Sequence, residues 1–289
     1  LKALDQRLAQ WLGTEVRTTR AAAMRRQALR LNGHYQDIGL SLALAHPLPA
    51  TAAFAADLVL RWKKRLAQDD AVLNNLARES RDPALLEAID AVRAHRTTLS
   101  NIAFDPEVEA AAKEAAVEAL EAAEAELRAR SSAYARFLEI SSARADEVET
   151  ALPRDSALVE LRFFSPYDFE EGSFGPRRLL AVVLKPDGAP ILVDLGEAGL
   201  FATLQAQAVD RELRAQDDVS FTRVMEVGYT AFAEPLLPHL EGVETLFIAP
   251  DGPLHALPFE ALVDGDGRRL VERFHVRMLQ TGRDLVARD

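Results

Sequence analysis

The sequence predicts an α+α/β chain: a helical first half, residues 1–150, followed by an α/β layer domain over 151–289. Three observations carry this. Up to about residue 150 the apolar residues recur at three- and four-residue spacing, the period of an amphipathic helix. At Leu152-Pro153 the pattern changes to short runs rich in Val, Leu, Ile and Phe, separated by Pro, Gly and Asp. The order that follows is strand, hairpin, two helices and strand, the signature of a layered α/β fold.

In the first half, Met24, Ala28, Leu31, Tyr35, Ile38 and Leu42 line one helix face. The two prolines of His46-Pro47-Leu48-Pro49 end that helix, since neither can donate the helical hydrogen bond. Thr51 is placed to cap the next helix, whose Phe54, Leu58, Trp62 and Leu66 form an i+4 stripe. Asp82-Pro83 and Asp105-Pro106 both read as helix starts, Asp as N-cap and Pro at the first helical position. Leu85, Ile89, Val92 and Leu99 mark one further face, and Leu120, Ala123, Leu127, Tyr134 and Phe137 another, with Arg130 out of place. A long antiparallel pair or short coiled coil fits this spacing. The region resembles helical-hairpin repeats without a clean period. Residues 105–150 hold 12 acidic against 5 basic side chains, which reads as a solvated face, or as an acidic strip for a basic partner.

In the second half, Ser156–Phe164 alternates Val159, Leu161 and Phe163 against Leu158, Glu160 and Arg162, the pattern of a half-buried strand. SPYDFEEGSFGPR reads as a loop. Leu179–Leu184 is a covered strand, and Lys185-Pro186-Asp187-Gly188 turns it into Ile191–Leu195. Helices are expected from Glu197 to about Arg214 and from about Phe221 to Leu237. Thr245–Ala249 is a short buried strand, stopped by Pro250-Asp251-Gly252. Arg268–Leu270 and His275–Leu279 are expected to flank Val271–Phe274 as a hairpin or bent strand pair, and Thr281 to cap the helix beginning GRDLV.

The formal net charge of −11 argues against nucleic acid and anionic membranes as partners. No run of about 18 apolar residues occurs. The first residues lack the apolar core and cleavage site of a signal peptide, so the expected compartment is the cytoplasm. The chain has no cysteine, which excludes disulfides and a thiol nucleophile within these residues. No Gly-x-Ser-x-Gly, Gly-x-Gly-x-x-Gly, phosphate-loop or His-Glu-x-x-His motif is present, and no cofactor is expected. Gly172–Gly175 precedes no helix start, so it reads as a plain loop. Asp264, Asp266 and Gly267 look like part of a calcium loop, but the closing Glu is missing and a hairpin turn is favoured. His255 has no nucleophile or orienting group at a defined spacing and reads as structural or surface.

The second half resembles the N-terminal part of a CHAT domain, the caspase-like module often found after tetratricopeptide repeats. The likeness runs through ALPRDSALVELRFF, RRLLAVVLK and VDLGEAGL. It is strongest at Pro250, Asp251, Gly252, Leu254, Leu257, Pro258, Phe259, Ala261 and Leu262, and again over Thr281, Gly282, Arg283, Asp284 and Leu285. The helical half is similar to segments that precede such domains. The resemblance implies a caspase-like sheet and chemistry by a Cys–His dyad located after the segment in hand. The expectation is therefore a fragment whose longer protein is a caspase- or separase-like cysteine endopeptidase regulated through its helical arm. The alternative is a pseudo-protease acting as an interaction scaffold. Either way the expected partner is a protein or polypeptide, and no catalytic residue is assigned in this chain. A caspase-like sheet cut before its remaining strands would expose an edge and an apolar face, so poor solubility is expected.

Overall fold

The computed structural model describes residues 22–63, 65–102, 105, 107–209 and 218–287. These fall into two compact units, one built from 22–35 and 65–142, the other from 36–63 and 143–287. The segment 65–142 thus lies between the two stretches of the second unit, while 22–35 precedes both. Residues 36–63, helical by sequence, belong with the sheet.

In the helical unit, α3 (Arg65–Glu79), α4 (Pro83–Ile102), α5 (Ala110–Arg130) and α6 (Ser132–Ser142) surround one core. Asp82 caps α4 as expected, its carboxylate accepting the Ala84 N–H at 3.0 Å. Asp105 accepts the Glu107 N–H at 2.9 Å, yet the helix starts only at Ala110. The long helix read from 105 onward is broken at Ser131, whose backbone is extended and whose hydroxyl accepts the Tyr134 N–H at 3.1 Å. Leu120, Leu127 and Tyr134 stay buried across the break, with Ile89, Val92 and Leu99 of α4 in the same core. Arg96 of α4 donates to Glu124 of α5 at 3.0 Å, which explains a nearly buried glutamate on the apolar face.

The second unit is a five-stranded sheet between two helical layers. Its strands are β1 (Ser156–Phe164), β4 (Arg178–Leu184), β5 (Ile191–Glu197), β6 (Thr245–Ala249) and β7 (His275–Met278), in the order β5-β4-β1-β6-β7. β4 runs antiparallel to β1 and β5, while β6 and β7 run parallel to β1. The expected hairpin of β4 and β5 is present, and β4 shares the sheet with β6 through β1. One face packs on α8 (Ala198–Val209) and α9 (Asp218–Phe232), through Val159, Leu161, Ala181, Ile248, Phe201 and Phe232 among others. The other face is covered by the end of α1 (Ala22–Ala45), by α2 (Pro49–Trp62) and by the short α7 (Ala145–Ala151). The part of the α8 prediction beyond Val209 lies outside the described residues.

Several expectations need correction. β1 is buried on both faces, Glu160 included, rather than half-exposed. On α1, Gln36, Leu40, Ser41 and Ala43 are buried while Tyr35 is exposed, because this helix end contributes hydrogen bonds as well as apolar area. Thr51 acts from inside the first turn of α2, its hydroxyl accepting the Leu48 N–H at 3.0 Å. The stretch read as a loop contains a hairpin of β2 (Tyr167–Asp168) and β3 (Ser173–Phe174), closed by Gly172 at φ +68. There is no strand pair around Val271. Instead Leu270–Arg273 is one helical turn, α10, and β7 continues the sheet in parallel. Glu272 favours the helix by accepting the Arg269 N–H at 2.6 Å.

Candidate functional site

The most unusual chemistry of the second unit lies on the α2 face of the sheet, where three charged side chains are buried. Lys63, the C-cap of α2, pairs with Glu160 of β1 at 2.7 Å, with both side chains 1% exposed. Its ammonium also donates to the Ala249 carbonyl at the end of β6, at 2.5 Å. The other Glu160 oxygen accepts the Gly282 N–H at 2.6 Å. Arg283, equally buried, donates to the Lys63 carbonyl at 2.7 Å. A helix end, two parallel strands and the turn after β7 therefore meet in one charged network. Opposite charge and hydrogen bonds at this distance offset the desolvation that would otherwise expel such groups.

The turn itself is built for this meeting. Residues Gly282–Leu285 form a 3-10 turn. Asp284, not the Thr281 hydroxyl, caps it, accepting the Gln280 and Thr281 N–H groups at 2.9 and 3.2 Å. The Thr281 hydroxyl is buried without a hydrogen-bond partner. A Cβ at Gly282 would stand 3.1 Å from Leu60 Cδ2 and 3.2 Å from Glu160 Oε2, and would overlap Leu158 outright. Only glycine lets the backbone approach Glu160 this closely.

The Pro250-Asp251-Gly252 segment fastens the carboxyl ends of the same strands. The Asp251 carboxylate accepts the Phe163 N–H at 2.9 Å and faces the Arg162 guanidinium at 3.5 Å. Arg162 reaches on to Gln36 of α1 at 3.0 Å. Asp37 and Ser41 of the same helix accept the Ser165 and Tyr167 N–H groups at 3.0 and 2.8 Å. The proline-broken run that follows forms two 3-10 turns, Gly252–Ala256 and Phe259–Ala261, with Leu254, Leu257, Phe259 and Leu262 in the core. Pro258 separates them, where no ladder bond is needed. His255 lies exposed on the first turn. Asp264 accepts the N–H groups of Asp266 and Arg268 at 3.0 and 2.9 Å, and Gly267 takes φ +80, so this cluster is a turn. Among the described residues no group of His, Asp and Glu side chains is arranged to hold a metal ion.

A second charged cluster surrounds α7. Asp57 of α2, itself buried, accepts the Ala145 N–H at 2.8 Å and pairs with Arg144 at 2.6 Å. Burial, with the Asp146 and Asp57 carboxylates nearby, pushes the Glu149 carboxyl up to about 7.

The sheet is thus mixed, and each of its two turn-rich motifs ties strand ends to a helix. Residues 223–289 match the family model of the CHAT domain. The match begins within α9 and takes in β6, β7 and both motifs, while β1, β4 and β5 of the same sheet precede it. No curated protein and no solved structure gives a significant match to the chain. Sequence reasoning found both motifs but missed Lys63, Glu160 and Glu149. The only signals for them were a lysine just after an apolar helix stripe and a glutamate inside an apolar strand.

Proposed function

We propose that this chain is the scaffold part of a caspase- or separase-like cysteine endopeptidase of the CHAT type, regulated through its helical arm. The match of residues 223–289 to the CHAT domain carries the reading. The motif residues it covers support a scaffold role, because Asp251, Gly282 and Arg283 are engaged with backbone groups. The sequence contains no cysteine, so in this reading the thiol and its histidine lie outside these 289 residues. The helical unit is the arm that receives a protein partner, and its excess of carboxylates suits a basic one. The compartment in this reading is the cytoplasm.

The lack of any cysteine also favours a second reading, a pseudo-protease that uses the same fold as an interaction scaffold. One experiment separates them. The protein encoded by the complete gene is read beyond Asp289 and assayed for cleavage of polypeptide substrates, alone and with cellular proteins. A strand-end histidine and a later cysteine, with cleavage lost on Cys→Ala, supports the peptidase. Absence of either residue leaves the scaffold.

A further inference from the structure

Helix α7 (Ala145–Ala151) is the first element of the second unit after the segment 65–142, and it leads directly into β1. It packs on α2, on the turn Gly282–Leu285 and on β4. The charged groups on these elements are already directed elsewhere. Arg144 and Arg61 turn to Asp57 at 2.6 and 3.5 Å, and Glu147 accepts the Arg144 N–H. Arg283 donates to the Lys63 carbonyl, Asp284 caps its own turn, and Arg178 of β4 pairs with Asp194. One Glu149 oxygen is left buried without a hydrogen-bond partner, in the field of Asp57 and Asp146. A buried carboxylate oxygen with no donor and two like charges nearby favours the neutral acid.

We propose that Glu149 is a proton-operated clamp on α7. With its proton, the side chain lets α7 lie against α2 beside the buried Asp57. Ionised, it places charge on a buried oxygen that meets no donor, with Asp146 and Asp57 adding repulsion, and loosens α7, together with the chain leading into β1. This rests on the α7 contacts alone and is independent of the peptidase reading. The folded value of about 7 stands above the ordinary 4.5. The folded chain therefore holds a proton that the unfolded chain has released between these values. The stabilisation is full below 4.5 and is lost as pH rises through about 7.

Hydrogen exchange of the 289-residue chain, corrected for intrinsic rates between about pH 5.5 and 8.5, tests the clamp. The opening equilibrium of the α7 amides is expected to grow about tenfold over this range, the full shift being discounted for partial exposure. Glu149→Gln should abolish the pH dependence, and Glu147→Gln, an exposed neighbour, should preserve it. Carbon-13 NMR of the carboxyl groups should show Glu149 titrating near neutrality, apart from the other glutamates. Equal pH dependence in wild type and Glu149→Gln would overturn the proposal, as would Glu149 titrating among the surface glutamates.

Discussion

Replacing Lys63 with methionine removes the positive member of the buried network while keeping most of the side-chain volume. Glu160 then keeps the Gly282 N–H as a donor but loses its counter-ion at a site that water does not reach. The Ala249 carbonyl loses the ammonium that caps it. Breaking a buried pair from one side typically costs about 3–5 kcal/mol, mostly from the orphaned charge. For a unit of this size each kcal/mol corresponds to roughly 2–4 °C, so the melting temperature should fall by about 6–20 °C. Scanning calorimetry of the 289-residue chain measures this for the transition of the sheet unit. The double variant Lys63→Met/Glu160→Gln is the internal control, because a glutamine oxygen can still accept the Gly282 N–H while carrying no charge. It should recover a substantial part of the loss. A single variant within about 1 kcal/mol of wild type, or a double variant as damaged as the single, would refute the reasoning.

Gly282→Ala should destabilise the sheet unit by about 1–3 kcal/mol or more in chemical denaturation, since the new methyl overlaps Leu158 and crowds Leu60. Asp251→Ala should cost about 1–3 kcal/mol by leaving the Phe163 N–H without its acceptor, and Asp251→Asn clearly less. Val271→Lys with Met278→Lys should raise the concentration at which the chain stays monomeric in light scattering. Both side chains are exposed apolar groups at the β7 edge of the sheet.

Much of the architecture was legible because it rests on local pattern. β4, β5 and β6 are apolar runs bounded by turn residues, and α4 announces itself by Asp82-Pro83 and its 3.6-residue stripe. What failed was of two kinds. The break at Ser131 and the helical turn at Leu270–Arg273 are decided by one or two capping hydrogen bonds, too slight to stand out against the apolar period. Glu160 was placed on the polar side of β1, and the burial of Arg283 left no local mark, for a different reason. A charged residue in a strand or turn is ordinarily solvated, and only a partner far along the chain reverses that preference. Here the partner is Lys63, at the end of a helix that sequence order assigned to another region. The motif residues Asp251 and Gly282 were legible as important. Their work, holding the Phe163 and Glu160 positions, could be read only from the assembled sheet.

Residues 36–63 belong to the sheet unit rather than to the helical unit. Native-state hydrogen exchange on the unmodified chain tests this directly. The α2 amides from Thr51 to Trp62 should share the slow, cooperative opening of β1 and of the Gly282–Leu285 turn, apart from the faster helical unit. Exchange of α2 in step with α4 and α5, at a rate unrelated to that of β1, would contradict it.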